Sequence, residues 1–408
     1  MRKAIDTPGG GRRKRFLRPE GAGKVGRWRV VPLLLREAGL VGRDHSLLLT
    51  LLIAPLLYAF FYGSIYINKE EQGVKLAVVD DDHTYISRLL TQQVDHTQVA
   101  DVVMVSSLQQ AQERMYKGDC QGFLYIEKGL AAHILSLRQG NVVLAVNAAR
   151  FLPSSDLLGA LTEVCLTVGA GVRLQYLQQS QGLNTGASLQ EVMPVRMDYR
   201  PLFNERVSYG AFLLPGLLAL ILQQTLLIGL SSSVAGERKK DQLAGWMRVA
   251  EGNPSIALWG KGSFYLLLFG AYAFFFLNVN FSILRIPMRG SEWSLSAAIL
   301  LFLLTLIPMG QWIGSLFRYP LLNVQVMAFS TYPIFLITGY TWPLESLPRP
   351  LQWISFMLPT TPFIKMYQSI VQSGASLSEN LSPVAHLAFL FLVYSLLCLV
   401  RLRRLRPA

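Results

Sequence analysis

The chain has 408 residues, of which 51% are hydrophobic and only 15% are charged, and its formal net charge is +13. A soluble domain carries about 25% charged residues, so the composition excludes an ordinary globular protein and favours a polytopic membrane protein with some soluble mass. The basic excess does not indicate nucleic-acid binding, because it flanks apolar segments: residues 1–46 hold twelve Lys or Arg and the last eight residues hold four.

The N-terminal part of the chain predicts a tail, a surface helix and a membrane span. Residues 1–30 are rich in Gly and Arg, which is typical of a flexible basic cytoplasmic tail. Residues 31–46 predict an interfacial helix with Arg36 and Arg43 outward and its leucines toward lipid. Residues 47–67 are long enough to cross about 30 Å of hydrocarbon. The preceding basic residues hold the N-terminus of this first span in the cytoplasm.

Residues 68–207 predict an extracytoplasmic domain, with twelve basic and fifteen acidic residues. Short apolar strands alternate with amphipathic helices, a pattern typical of a parallel α/β sheet. The predicted strands are 76–79, 102–105, 122–126 and 142–146, and the predicted helices are 84–94, 108–117, 130–137 and 155–179. Cys120 and Cys165 fall in this domain, and their spacing leaves a disulfide between them open.

Residues 208–400 predict a bundle of five further spans, which makes six in all. The predicted spans are 209–235, 257–281, 295–317, 322–340 and 384–400. A cytoplasmic coupling loop at 236–256 and an outer re-entrant segment at 341–383 interrupt them. Six spans return the basic tail, residues 401–408, to the cytoplasm. The predicted fold is therefore a membrane α-helical protein with six spans and an inserted extracytoplasmic α/β domain.

The second span ends in a charged elbow, which consists of Glu237, Arg238, Lys239, Lys240 and Asp241. One interpretation is a coupling segment that docks a soluble partner through charge pairs. The other is anchoring by the positive-inside rule. The two acidic residues favour docking, because anchoring needs no acids.

Glycine and proline punctuate the outer segment at Gly339, Pro343, Pro348 and Pro359. Proline removes backbone donors and bends helices, and broken helices at membrane depth are tolerated only where protein or a water-filled path covers them. These residues therefore predict an external gate. The alternative is a structured outer loop that only buttresses the bundle.

Three glutamines lie within the predicted spans, Gln223, Gln224 and Gln311. Polar groups at membrane depth face the bundle or a path, so these side chains are candidates for lining a pathway. They could equally join helices by hydrogen bonds, and the sequence leaves both interpretations open.

No metal site is predicted. The run Asp80-Asp81-Asp82 could ligate a divalent cation, but such a run more commonly ends a strand and caps the next helix. The five histidines are scattered without ligand spacing.

A P-loop is missing from the sequence. The motif requires Gly-x-x-x-x-Gly-Lys-Ser/Thr, and the nearest stretch, Gly21-Ala22-Gly23-Lys24-Val25, lacks the first glycine and the hydroxyl. The Gly-x-Ser-x-Gly elbow of hydrolases is absent as well. No catalytic site is therefore predicted, and the energy for any transport must come from another subunit.

Several stretches together resemble the type-2 ABC exporter permeases. The elbow Glu237-Arg238-Lys239, followed by Pro254 and Gly260-Lys261, is similar to the coupling loop of that family. The most specific match is Thr338-Gly339-Tyr340-Thr341-Trp342-Pro343-Leu344-Glu345-Ser346-Leu347-Pro348, with Pro359 and Gly374 after it. The resemblance covers roughly residues 36–400.

The sequence departs from the family pattern at two places. Asp241-Gln242 stands where the family has a Gly-Thr pair, which affects the geometry expected for ATPase docking. Gln368 stands where a basic residue is common, although Lys365 lies one turn earlier.

The resemblance implies a permease subunit of an ATP-driven exporter that works by alternating access. Its implied partners are an ABC ATPase that holds ATP and Mg, a second permease copy or homologue, and membrane lipid. A periplasmic adaptor is also compatible with it. The implied location is the inner membrane, multi-pass, with both termini cytoplasmic. The alternative function is a membrane-anchored scaffold or sensor whose external domain binds a periplasmic partner.

Overall fold

The computed structural model of the chain shows a mostly helical protein with one small sheet. The residues that it describes are 30–65, 72–136, 138–181, 209–240, 242–278 and 288–404.

The N-terminal part forms a run of short helical segments. They are α1 (Val30–Arg43), α2 (His45–Leu48), a π-helical stretch (Leu49–Ile53) and α3 (Ala54–Ile65). The carboxylate of Asp44 accepts hydrogen bonds from backbone amides in the first turn of α2 and caps it. The π-helical stretch precedes Pro55, which has no N–H to donate to the previous turn. The hydroxyl of Tyr272 donates to the carbonyl of Leu52 at 2.9 Å and ties this irregular stretch to the bundle.

An α/β unit follows in the chain. Its strands are β1 (Val74–Asp80), β2 (Ala100–Met104), β3 (Gly122–Ile126) and β4 (Val142–Val146). Its helices are α4 (Tyr85–Asp95), α5 (Leu108–Lys117), α6 (Leu130–Leu135) and α7 (Phe151–Gln181). The alternation of strands and helices predicted from the sequence is confirmed.

The sheet is mixed, so the prediction of a parallel sheet is wrong for its last strand. The strand order is β2-β1-β3-β4; β1 pairs in parallel with β2 and β3, whereas β3 and β4 are antiparallel. The length of α6 explains the reversal. Six helical residues span about 9 Å, whereas five strand residues span about 17 Å. The helix by itself therefore carries the chain only part of the way back along β3, and Val142 enters the sheet opposite Ile126.

The sheet separates two cores, and each cysteine of this unit lies in a different one. Leu76 and Val78 point into the core under α4, α6 and α7, with Cys165 packed against it. Cys120 is buried in the core on the other face, under α5. Both cysteines are free thiols, and the sheet between them explains why they do not pair.

The second half of the chain forms the helix bundle. Its elements are α8 (Tyr209–Lys239), α9 (Leu243–Val249), α10 (Pro254–Asn278), α11 (Glu292–Leu316), α12 (Pro320–Ile337), a 3-10 turn (Leu344–Ser346), α13 (Arg349–Phe356), α14 (Thr360–Val371) and α15 (Leu381–Arg404). Helix α8 packs against α3, α10, α11, α12 and α14, and α11 packs against α10, α14 and α15. The segment predicted as re-entrant, 341–383, contains the short helices α13 and α14, and its re-entrant character stays a prediction.

Seven helical segments in the described part of the chain are long and apolar enough to cross a membrane. Six of them correspond to the predicted spans. The seventh is α7, which begins within the α/β unit and buries Leu157 and Leu161 in the core beneath the sheet. The predicted count of six spans therefore depends on assigning α7 to the α/β unit.

The outer surface of the bundle is apolar, as lipid contact requires. Large hydrophobic side chains that would be unfavourable in water project from α3, α10, α11, α12 and α15. They include Phe60, Phe61, Leu267, Phe274, Leu300, Leu321, Phe329, Leu392 and Leu396.

Helix α8 connects two layers at opposite ends of the bundle. Near its start Phe212 stacks on Tyr340, with ring centroids 5.3 Å apart, and near its end Glu237 bonds Lys261. At a rise of about 1.5 Å per residue, Phe212 and Glu237 are separated by about 38 Å. The hydrocarbon core of a bilayer is about 30 Å thick, so this separation is long enough to cross it.

Candidate functional site

The first residue of the charged elbow, Glu237, lies inside the protein. Its carboxylate is 3% exposed and accepts hydrogen bonds from both terminal nitrogens of Arg36, each at 3.0 Å. It also accepts a hydrogen bond from the ammonium of Lys261 at 2.8 Å. The Arg36 contact is the bidentate geometry in which guanidinium and carboxylate bind most strongly.

A second buried carboxylate, Glu37 of α1, completes the group. It is 1% exposed and pairs with the same Lys261, which is also 1% exposed. Its other oxygen accepts hydrogen bonds from Ser233 at 2.6 Å and from Tyr265 at 2.8 Å. We refer to Arg36, Glu37, Ser233, Glu237, Lys261 and Tyr265 as the buried charge cluster.

Helical spacing brings these side chains together. Ser233 and Glu237 are four residues apart on α8, as are Lys261 and Tyr265 on α10, so each pair shares one helix face. Gly260 lets α1 approach α10 closely, because a Cβ at this position would lie 2.3 Å from the side chain of Leu33.

The charges of the cluster balance. Two basic and two acidic side chains come from α1, α8 and α10, so the group carries no formal net charge. Burial of ions is costly unless each is paired and hydrogen-bonded. Removing one partner of a buried pair costs about 3–5 kcal/mol, because a charge is then left uncompensated. The cluster therefore holds three helices in one relative arrangement.

The short helix that follows the elbow, α9, reaches the cluster through Trp246. This indole is fully buried, and the ammonium of Lys261 lies 5.3 Å from its ring centroid, within cation–π range. A displacement of α9 would therefore act on the cation that joins the two buried carboxylates.

The other residues of the elbow have different environments. Arg238 donates hydrogen bonds to the carbonyls of Ser315 and Leu316 and caps the C-terminal end of α11. Lys239 and Lys240 are exposed. Asp241 lies outside the described residues. Of the elbow residues that the structure describes, the two lysines are therefore those that a soluble partner could contact directly.

Helix α1 differs from its predicted role as a helix with its leucines toward lipid. Its buried face consists of Leu33, Glu37 and Val41, one residue every four, and it packs against α10. Arg36 points inward to Glu237 rather than outward. A buried glutamate of α1 is compatible with this packing because Lys261 neutralises it.

Of the buried charge cluster, only Glu237 is predicted from the sequence as a site residue; the members that the sequence did not reveal are Arg36, Glu37, Ser233, Lys261 and Tyr265. A signal was present, since Lys261 stands in the second turn of an otherwise apolar helix, where an isolated charge requires a partner. Nothing in the sequence indicates that the partner is Glu37, because 224 residues separate the two.

The predicted external gate lies at the other end of α8. Gly339 has a φ of +84° and a Cβ there would lie 2.6 Å from Leu344, so its position requires glycine. Pro343 and Pro348 are exposed and flank the 3-10 turn, whereas Pro359 is buried at the start of α14. The four residues therefore belong to one segment but do not form one contact cluster, and their gating role stays a prediction.

Aromatic packing fixes this outer segment against the bundle. Phe363 of α14 stacks on Phe302 of α11 with centroids 4.1 Å apart. The ring of Tyr340 lies against Gly216, where any Cβ would overlap it, and its hydroxyl donates to the carbonyl of Phe212. Helix α14 is accordingly packed into the bundle with most of its side chains buried.

The three glutamines proposed for a pathway are all buried between helices. Gln223 accepts a hydrogen bond from Thr360 of α14 at 2.9 Å. Gln224 donates to the hydroxyl of Thr331 of α12 at 2.8 Å, and Gln311 donates to a backbone carbonyl of α10 at 2.9 Å. Each side chain joins two helices here, and lining of a pathway stays a prediction.

The acidic run after β1 has a structural explanation. Asp80 accepts hydrogen bonds from two following backbone amides and from Ser87. Asp82 accepts hydrogen bonds from the amides of Gly129 and Ala131 and from Thr84. Partial burial opposes the charge of Asp82, but these hydrogen bonds outweigh it and lower the pKa of the carboxyl below its ordinary value of 3.8. Within the described ranges, no three Asp, Glu, His or Cys side chains gather as a metal site.

Comparison with known proteins finds matches that extend along nearly the whole chain. A family model described as "ABC-2 family transporter protein" matches residues 45–400. The probable multidrug ABC transporter permease YbhS of Escherichia coli (strain K12) is 21% identical over 379 residues, which cover 93% of this chain and 96% of that protein. The linearmycin resistance permease protein LnrN of Bacillus subtilis (strain 168) is 24% identical over 373 residues, which cover 85% of this chain and 91% of that protein.

Proposed function

The chain belongs to the ABC-2 family of transporter proteins, and on that premise we propose that it is the permease subunit of an ATP-driven exporter, powered by a separate ATPase subunit. The family consists of multi-pass permeases of ABC transporters, which lack a catalytic site of their own. ATP and Mg are bound by the partner. The observation that carries the coupling mechanism is the buried charge cluster, since it links the elbow to three helices of the bundle.

The ATPase docks on the elbow surface, which we define as Lys239, Lys240 and α9. The lysines are exposed and could pair with acidic groups of a partner. On its buried side α9 contacts the Lys261 ammonium through the ring of Trp246. A push on the elbow surface is thereby transmitted to α1, α8 and α10 together rather than to one helix alone.

The arrangement of α8 supports a mechanism of alternating access. Its inner end carries the cluster, Gln223 in its middle accepts a hydrogen bond from Thr360, and Phe212 at its other end is stacked on Tyr340. A tilt of this helix would change the contacts at both ends, closing one side as the other opens. Two permeases, identical or homologous, bind two ATPase subunits in the assembly that we propose.

We propose that the protein lies in the inner membrane with the elbow on the cytoplasmic side. Arg401 of α15 and Arg238 both donate to the carbonyl of Ser315, so the C-terminal basic residues and the elbow share one end of the bundle. Basic residues concentrate on the cytoplasmic side. The α/β unit, inserted between α3 and α8, then faces outward and is the surface open to a periplasmic adaptor.

The substrates that we propose are lipophilic drug-like molecules. Relatives are named as a multidrug permease and as a linearmycin resistance permease. The apolar surface of the bundle helices is compatible with substrates that enter from the membrane.

Recruitment of the ATPase tests the docking role. The double charge reversal K239E/K240E should abolish co-purification of the ATPase from membranes. The control R403E/R404E reverses two exposed basic residues at the same end of the bundle and should leave recruitment unchanged. Equal recruitment by K239E/K240E and wild type would rule out docking at these lysines, and the absence of any bound ATPase in the wild type would favour the scaffold alternative.

A further inference from the structure

A cavity of about 320 Å³ lies at the outer end of the bundle, on the opposite side from the buried charge cluster. Its walls come from the 3-10 turn, α13, α14 and α15. The volume is at the lower end of the roughly 300–1,000 Å³ of ligand sites, and it suits a headgroup-sized ligand.

The cavity presents charges of both signs. Glu345 on the 3-10 turn and Lys365 on α14 line it. Neither side chain takes part in an ion pair or hydrogen bond with the residues that the structure describes, and both are exposed to the cavity and its surroundings. A ligand that carries both an anionic and a cationic group would match them.

Side-chain contacts connect the walls of the cavity that come from α13, α14 and α15. His386 of α15 stacks on Phe356 with ring centroids 4.0 Å apart, and its Nε2 lies 2.8 Å from the carbonyl of the same residue. Ser355 and Thr361 bond each other across the turn between α13 and α14. These contacts connect the α13, α14 and α15 walls of the cavity to one another.

Beside the cavity, α13 presents an apolar face to its surroundings. Trp353 is 73% exposed, and Phe356 and Met357 are also exposed. Tryptophan and amphipathic helices of this kind lie at the boundary between headgroups and acyl chains. A molecule that fills the charged cavity could thus extend apolar chains along α13.

We propose that this cavity binds the headgroup of a phospholipid with a primary amine, the phosphate at Lys365 and the ammonium at Glu345, and the acyl chains along α13. Lysine is a common ligand of phosphate, and a primary ammonium can donate hydrogen bonds to a carboxylate, whereas a trimethylated amine cannot. The bound lipid would link the 3-10 turn, α14 and α15. The assignment does not depend on the proposed transport function.

Lipid retention by the full chain tests this proposal. The protein is purified from bilayers with equal amounts of phosphatidylethanolamine, phosphatidylcholine and phosphatidylglycerol, and retained lipids are quantified by native mass spectrometry. Wild type should be enriched in phosphatidylethanolamine. K365Q should reduce this retention about tenfold, which corresponds to the loss of one charged contact of about 1.4 kcal/mol. E345Q should remove the preference for ethanolamine over choline.

The matched control is R349Q, which removes a basic side chain from the same outer segment that does not line the cavity. It should retain lipids as wild type does. All these side chains are exposed, so the variants should fold normally, which unchanged elution in size-exclusion chromatography would verify. No preference of the wild type for the primary amine, or equal behaviour of K365Q, E345Q and R349Q, would overturn the proposal.

A second arm distinguishes a lipid from a soluble ligand. Phosphoethanolamine without acyl chains is added to the lipid-loaded protein. A lipid site predicts displacement only at concentrations far above those of the lipid, because the contact with α13 is missing. Displacement at equal concentrations would overturn the assignment to a lipid.

Discussion

Substitution of Glu37 by glutamine is the sharpest test of the buried charge cluster. Glu37→Gln keeps the size of the side chain but leaves Arg36 and Lys261 facing the single carboxylate of Glu237. The new amide would also direct a donor at an ammonium or give up its bond to Ser233. A buried charge without a partner costs about 3–5 kcal/mol, and this is the loss of unfolding free energy that we expect.

Lys261→Gln should cost a similar amount, for the opposite reason. Two buried carboxylates then share only Arg36. In the double variant E37Q/K261Q the charges balance again, because the bidentate pair of Arg36 and Glu237 remains. We therefore expect the double variant to be no less stable than either single variant. The coupling energy should therefore be at least about 3 kcal/mol, at the top of the range for residues in contact.

The assay is unfolding in mixed micelles with increasing sodium dodecyl sulfate, followed by tryptophan fluorescence. Glu163→Gln is the control, because Glu163 is exposed on α7, and it should change stability by less than about 0.5 kcal/mol. If the losses of the two single variants simply add in the double variant, or if Glu37→Gln behaves like the control, Glu37 and Lys261 do not form a coupled buried pair.

Two further predictions concern local packing. Gly260→Ala should destabilise the bundle by about 1–3 kcal/mol, because its Cβ would overlap Leu33. The control Gly270→Ala in the same helix meets no atom within 4 Å and should be neutral or stabilising by up to about 1 kcal/mol. Equal effects of the two substitutions in the same micelle assay would contradict the close contact of α1 and α10. Asp82→Asn should weaken the cap of α6 by about 1 kcal/mol and accelerate amide hydrogen exchange there about fivefold. The control Asp81→Asn loses only the hydrogen bond from the hydroxyl of Tyr125 and should leave exchange in α6 unchanged. Because the pKa of Asp82 is lowered in the folded protein, its contribution to stability is present above its ordinary pKa of 3.8 and is lost as the pH falls through the lowered value. A difference in stability between wild type and Asp82→Asn that persists at still lower pH would contradict this role.

Local sequence patterns predicted the elements of the fold well, because those patterns have local causes. Long apolar segments specify the helices α8 and α11, and the glycine and proline residues around Gly339 specify where helices end. Neither signal depends on distant residues. The strand direction of β4 was not predictable in this way. It depends on how far the short helix α6 can carry the chain, which the alternation of strands and helices does not reveal.

The site was predicted only in part, because its chemistry is non-local. The charged end of α8 is visible in the sequence, and Glu237 is indeed central to the cluster. Whether a charged residue at a helix end faces a partner protein or the interior depends on its neighbours, and here these are Arg36 and Lys261 from distant parts of the chain. The predicted outward direction of Arg36 is wrong for this reason, because its partner Glu237 lies on α8.

The measurement that tests the central claim most directly is ATP-dependent transport in reconstituted vesicles. The chain and the ATPase that co-purifies with it are inserted into proteoliposomes, and the movement of a panel of lipophilic drugs and dyes is followed by fluorescence. We predict accumulation in vesicles whose ATPase faces outward only when both subunits, ATP and Mg are present, and no accumulation with the chain alone or with an ATPase unable to hydrolyse ATP. Transport that proceeds without the ATPase, or steady ATP hydrolysis by the complex with no movement of any compound, would contradict the assignment of this chain as an exporter permease.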